Sequence, residues 1–96
     1  MIQVKEAVDA AARYTAELFE QEGILDLRLE EVELSEDEST WHVTLSFLRK
    51  RKVSSRMEEQ LRAASLAGPP MDRDFKVLSV RASDGVVTSV KIRQLA

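Results

Sequence analysis

The stretch Thr40-Trp41-His42-Val43-Thr44-Leu45-Ser46-Phe47 decides the fold. Trp41, Val43, Leu45 and Phe47 occupy every second position, with Thr40, His42, Thr44 and Ser46 between them. Period two is the repeat of a β-strand, whose successive side chains point to opposite faces. The pattern therefore predicts a strand over 40–49 with one apolar face. Upstream, Ser35-Glu36-Asp37-Glu38-Ser39 reads as a polar turn. Before that turn, in a strand expected over 24–34, Leu25, Leu27 and Leu29 alternate with Asp26, Arg28 and Glu30. The phase then slips, because Val32 and Leu34 are apolar while Glu31 would sit inward. One extra residue near Glu30–Glu31 restores the alternation, which is what a β-bulge supplies. A hairpin over 25–48 is expected.

Towards the N-terminus the period lengthens. Val4, Ala7, Val8, Ala11, Tyr14, Thr15, Leu18 and Phe19 recur at spacings of three and four, so residues 3–22 read as a helix with one apolar stripe. Gly23 is a natural stop, since glycine tolerates the left-handed backbone of a helix C-terminus. With Leu18 on that stripe, Leu18→Asp is expected to unfold the domain or nearly so. Towards the C-terminus, residues 74–82 and 86–95 read as a second hairpin around Ser83-Asp84-Gly85. Val86, Thr88, Val90 and Ile92 share one face there, with Lys91 and Arg93 opposite. In the third strand Phe75 and Val77 lie on one face and Leu78, Val80 and Ala82 on the other.

Residues 49–73 interrupt this rhythm. They open with Arg49-Lys50-Arg51-Lys52, followed by Arg56, and four adjacent cations repel one another, so the run is expected to be exposed. Ser55 with Glu58 resembles a capping box, and Met57, Leu61 and Ala64 follow at helical spacing, so the connection between the second and third strands is given a short helix over 55–66. Gly68-Pro69-Pro70 then forbids regular structure. A connection of this length has either structure or a task. The segment is expected to be a functional excursion outside the folding core.

At 96 residues with 44% hydrophobic, the chain makes one domain, residues 1–96. It has no cysteine, which excludes disulfides, thiolate nucleophiles and cysteine-based zinc sites and favours a reducing compartment. No apolar run approaches the length of a membrane span, and Lys5, Glu6, Asp9 and Arg13 interrupt any signal-peptide core, so the cytoplasm is the expected location. The charge is divided. Residues 1–38 carry three basic and 12 acidic groups, a balance of −9, whereas residues 39–96 stand at +6. Such halves either attract each other within the fold or serve a partner or a head-to-tail self-contact.

Catalytic and cofactor sites find little to stand on. His42, the one histidine, has no nucleophile placed beside it by sequence and reads as an outward-facing strand residue. The carboxylates lack the alternating spacing of a calcium loop, and the isolated Gly23, Gly68 and Gly85 form no phosphate-cradling loop. The basic segment 49–56 would suit nucleic acid, but the whole domain is acidic and no aromatic residue interleaves the run.

The helix Val4-Lys5-Glu6-Ala7-Val8-Asp9-Ala10-Ala11 resembles the opening of the PepSY-type domains of bacteria, which share a cystatin-like α-β-β-β-β order. The run Phe75-Lys76-Val77-Leu78-Ser79-Val80, leading through Ser83-Asp84-Gly85 to Val86-Val87, is similar to their last hairpin. The resemblance leaves out residues 49–73. It implies a domain that binds and restrains a peptidase without catalysis or cofactor. Such domains are commonly extracytoplasmic, and this chain shows no export signal.

The expectation that follows is an α+β domain, an N-terminal helix packed on a four-stranded antiparallel sheet. It is expected to be a non-enzymatic protein-interaction module without cofactor or metal, an inhibitory or neutralising partner of another bacterial protein docked on the uncovered face or the edges of the sheet, often by strand addition, or a homodimer built sheet to sheet or edge to edge. Binding by Trp41, Arg49, Lys50, Arg51, Lys52, Arg56, Met57 and Leu61 is expected. The alternative is a nucleic-acid accessory protein using residues 49–56.

Overall fold

The computed structural model describes residues 1–50 and 71–93. Helix α1 runs Val4–Leu18, ending short of the expected residue 22 with Phe19 at its C-cap, and a short 3-10 turn, Glu20–Glu22, then ends at Gly23, whose φ of 61° is left-handed. Four strands follow: β1 Leu25–Leu34, β2 Thr40–Lys50, β3 Met71–Arg81 and β4 Val87–Ile92. They form one antiparallel sheet in the order β1-β2-β3-β4, so the fold is α+β with each strand beside its sequence neighbour. The expected helix in the β2–β3 connection lies outside the described residues.

The pairing shows which face is inward. Val43 opposes Leu78 and Trp41 opposes Val80, and these rows pack with Ala7 and Ala11 of α1. Leu78, Val80 and Ala82 therefore turn toward the helix, and Phe75 and Val77 turn away. The two helix alanines are fully buried, and their lack of bulk lets the helix backbone lie close to the sheet. Thr15 takes the next turn of the same stripe, its hydroxyl donating to the Ala11 carbonyl at 2.8 Å, so no polar group is left unpaired there.

The helix is tied at both ends. At its start, the Ile2 amide donates to the Ala82 carbonyl at 2.7 Å, and the Trp41 indole N–H donates to the Ile2 carbonyl at 3.3 Å. Beyond its end, Phe19 packs on Phe47.

Three expectations are corrected by these contacts. Leu18, placed on the buried stripe by its spacing, is 53% exposed, because the helix presents the Ala7–Ala11–Thr15 line to the sheet and turns Leu18 outward. The segment 49–73 is shorter than its charge run implied: Arg49 opposes Asp72 and Lys50 opposes Met71, so β2 and β3 extend into it from both sides. In β4 an extra residue at Thr88 slips the phase, so that Val87 joins Val90 against the core and Val86 is exposed.

The bulge expected near Glu30 is present: Leu29 opposes Leu45 while Glu31 opposes Thr44. A second irregularity precedes it, between Leu25 and Arg28, where Asp26 adopts a φ of 52°.

Candidate interaction site

A four-stranded open sheet has two outer edges, and here they belong to β1 and β4. The backbone groups available on each follow from the alternation of antiparallel hydrogen bonds. The Ser35 amide donates to the Thr40 carbonyl, so Glu33 bonds inward to β2 and the amides and carbonyls of Val32 and Leu34 point away from the sheet. The Arg93 amide donates to the Phe75 carbonyl, so Lys91 bonds inward to β3 and those of Val90 and Ile92 point outward.

The side chains on the two edges differ in sign. β1 carries Asp26, Glu30, Glu31 and Glu33 against one arginine, Arg28. β4 and the next residue carry Lys91 and Arg93 and no carboxylate. Both edges also display apolar groups: Leu25, Leu27 and Leu29 on β1, Val86 and Ile92 on or beside β4. Glu33 and Lys91 are exposed and enter no ion pair among the described residues.

The face of the sheet away from α1 is polar at its centre. Ser46 is fully buried there, its hydroxyl donating to Glu30 Oε1 at 3.1 Å and accepting from Arg73 at 2.9 Å. Arg73 also pairs with Asp26 and donates to its carbonyl oxygen. Desolvation acts to raise the Asp26 pKa, but the hydrogen bonds from Arg28 and Arg73 outweigh it and hold this carboxyl below its ordinary value. Arg93 and Glu31 approach to 3.7 Å across this face from opposite edges. His42 lies here too, its Nδ1 3.4 Å from the Ser79 hydroxyl.

Of the residues expected to bind a partner, the described ones form no common binding surface. Trp41 faces α1 and is half-buried beside the core, so it offers no anchor on the uncovered face. Arg49 is not a free cation: its guanidinium lies 2.8 Å from Glu22 and 2.6 Å from Asp74. The hydrogen bond to Glu22 leads in raising its pKa. Lys50 is exposed at the end of β2. Arg51, Lys52, Arg56, Met57 and Leu61 lie outside the described residues.

A cleft of about 290 Å³ is lined by Arg49, Arg73, Lys76 and Arg93, but each cation is engaged. Arg49 and Arg73 are paired as above, Lys76 sits 5.8 Å from the Phe19 ring centre, and Arg93 leans to Glu31. Among the described residues no cluster of three or more His, Asp or Glu side chains is arranged to hold a metal ion, and no helix is long and apolar enough to cross a membrane.

Sequence reasoning pointed to the uncovered face and the edges of the sheet as docking places but named neither β1 nor β4 as an edge. Their signal was the opposed charge of the two halves of the chain, which could be read without knowing that it would fall on opposite rims of one sheet. Comparison with protein-family models, curated proteins and solved structures finds no match to this chain.

Proposed function

We propose that this chain is a non-enzymatic protein-interaction module that receives an extended partner strand along the outer edge of β1. One observation carries the reading: a ten-residue rim strand, exposed over most of its length, that presents leucines and carboxylates beside outward-pointing backbone groups. Strand addition draws affinity from main-chain hydrogen bonds and specificity from alternate side chains. The partner strand that fits alternates aliphatic residues with lysine or arginine. An inhibitory or neutralising role toward another bacterial protein in the cytoplasm is in keeping with this mode, as is the PepSY-type resemblance. The nucleic-acid alternative gains nothing from Arg49, whose charge is shared between Glu22 and Asp74.

Selection from a random peptide display library against the folded protein tests the reading. Enriched peptides should alternate aliphatic and basic residues, and their binding should be lost in Leu34→Pro, which removes one outward amide. Enrichment of unrelated sequences, or binding that is indifferent to the β1 variant, overturns it.

A further inference from the structure

The opposed charges of the two rims bear on which strand can occupy them. Pairing β1 with β1 of a second copy sets the Glu31 and Glu33 rows of the two chains against each other. Pairing β4 with β4 does the same with Lys91 and Arg93. Like charges directly opposite destabilise a strand pair. Only β1 against β4 brings unlike charges together.

The topology permits that junction without rearrangement. In a meander of four strands, β1 and β4 run in opposite directions. A second copy set beside the first with its helix on the same side therefore lays its β1 antiparallel to the first copy's β4, and the sheet continues.

The outward backbone groups also match in phase. Val32 and Leu34 on β1 share the helix-side face with Val43 and Trp41, and Val90 and Ile92 on β4 share it with Leu78 and Lys76. Hydrogen-bonded partners in an antiparallel pair have side chains on one face, so these two sets can bond directly.

We propose that β1 of one copy of this chain pairs with β4 of the next, in the register Leu34 with Val90 and Val32 with Ile92. This deepens the strand-addition reading above by naming the occupant of the β1 edge, and it rests on that reading. In this register Glu33 meets Lys91 and Glu31 meets Arg93, both on the face away from the helices. Both are non-hydrogen-bonded pairs, whose Cα atoms approach to about 4.5 Å. Ile92, 72% exposed in the single chain, is covered by Val32 of the neighbour. The interchain contact of Glu31 with Arg93 replaces the 3.7 Å contact they make within one chain, while Glu33 and Lys91 gain a partner for the first time. The contact is heterologous, so assembly continues past a dimer into a ring or a filament.

Sedimentation of the full chain over a concentration series to about 1 mM tests this, at low and at high salt, since exposed ion pairs are screened. The weight-average mass should climb past that of a dimer and fall as salt is added. Lys91→Glu and Glu33→Lys should each weaken association about tenfold, the effect of turning one cross-strand attraction into repulsion. An equimolar mixture of the two variants should recover association, because each chain then offers the other a complementary rim on both sides. Ile92→Pro, which removes an outward amide and leaves the β3 ladder intact, should also weaken it.

A mass that stops at a dimer, a mixture that does not recover, or a wild type that stays monomeric throughout overturns self-pairing. Peptide selection at the β1 edge is read independently. Selected peptides with a monomeric wild type would leave the strand-addition reading standing and remove only this one.

Discussion

The ring of Phe19 lies 5.0 Å from that of Phe47, tilted by 42°. This contact joins the residue just past α1 to β2 of the sheet, at a centroid distance within the favourable range for aromatic pairs. Phe47 is fully buried, whereas Leu18, one residue earlier on the helix, is half exposed.

Phe47→Ala should therefore cost about 3–5 kcal/mol, the range for deleting a buried aromatic side chain. Leu18→Asp should cost about 1 kcal/mol or less, as surface changes do. Urea unfolding of both variants checks the ranking, and a Leu18→Asp protein that does not fold would return Leu18 to the core.

Ala11 has no exposed surface and sits where the helix meets Val43 and Leu78. Ala11→Leu should push the helix off the sheet at a cost of about 1–3 kcal/mol, whereas it would change the stability of an isolated helix hardly at all. A thermal melt that is unchanged or raised in this variant would mean that the helix has room to spare.

Asp37 organises the β1–β2 turn. Its Oδ1 accepts from the Ser35 hydroxyl at 2.7 Å, the Ser39 hydroxyl at 2.7 Å and the Ser39 amide at 3.1 Å. The Ser35 hydrogen bond leads in lowering its pKa to about 2. A depressed carboxyl stabilises the fold in full above its unfolded value near 3.8, and that contribution is lost as pH falls from there through about 2. An NMR titration should find Asp37 ionised at pH 3, and Ser35→Ala should move its midpoint upward. A midpoint near that of a free aspartate would show that the turn hydrogen bonds are not held in solution.

Arg49 couples Glu22, past the helix, to Asp74 on β3. A double-mutant cycle on Arg49→Ala and Asp74→Ala should give a coupling of about 0.2–1 kcal/mol that shrinks with salt, since the pair is partly exposed. A coupling of zero would mean that Asp74 does not hold Arg49 in solution.

The β2–β3 register also makes the excursion testable. Arg49 and Asp72 face each other, and the Ala82 amide to Ser39 carbonyl bond sets the phase in which 49 and 72 exchange hydrogen bonds. Asn-Gly in place of residues 50–71 would close this pair as a two-residue hairpin. If the segment lies outside the folding core, the shortened chain unfolds cooperatively, and failure to fold would place the segment inside it.

The alternation of Trp41, Val43, Leu45 and Phe47, the bulge near Glu30 and the left-handed backbone at Gly23 were determined by the sequence alone. Each is a local matter, in which side-chain period and backbone preference act within a few residues. The buried line of α1 was not determined that way. A stripe broad enough to include both Thr15 and Leu18 leaves the rotation of the helix free, and contact with Phe47, Val43 and Leu78, far away in sequence, decides it. Arg49 reads as one of four equal cations until Glu22 and Asp74 are brought to it by the fold. The bulge at Thr88 is hidden because Val86, Val87, Val90 and Ile92 supply apolar residues to either phase, and only pairing with Ser79 and Val80 selects one. The charge division was legible from the first residues onward. Its placement on opposite rims of one sheet needed the strand order, because charge carries sign and no address.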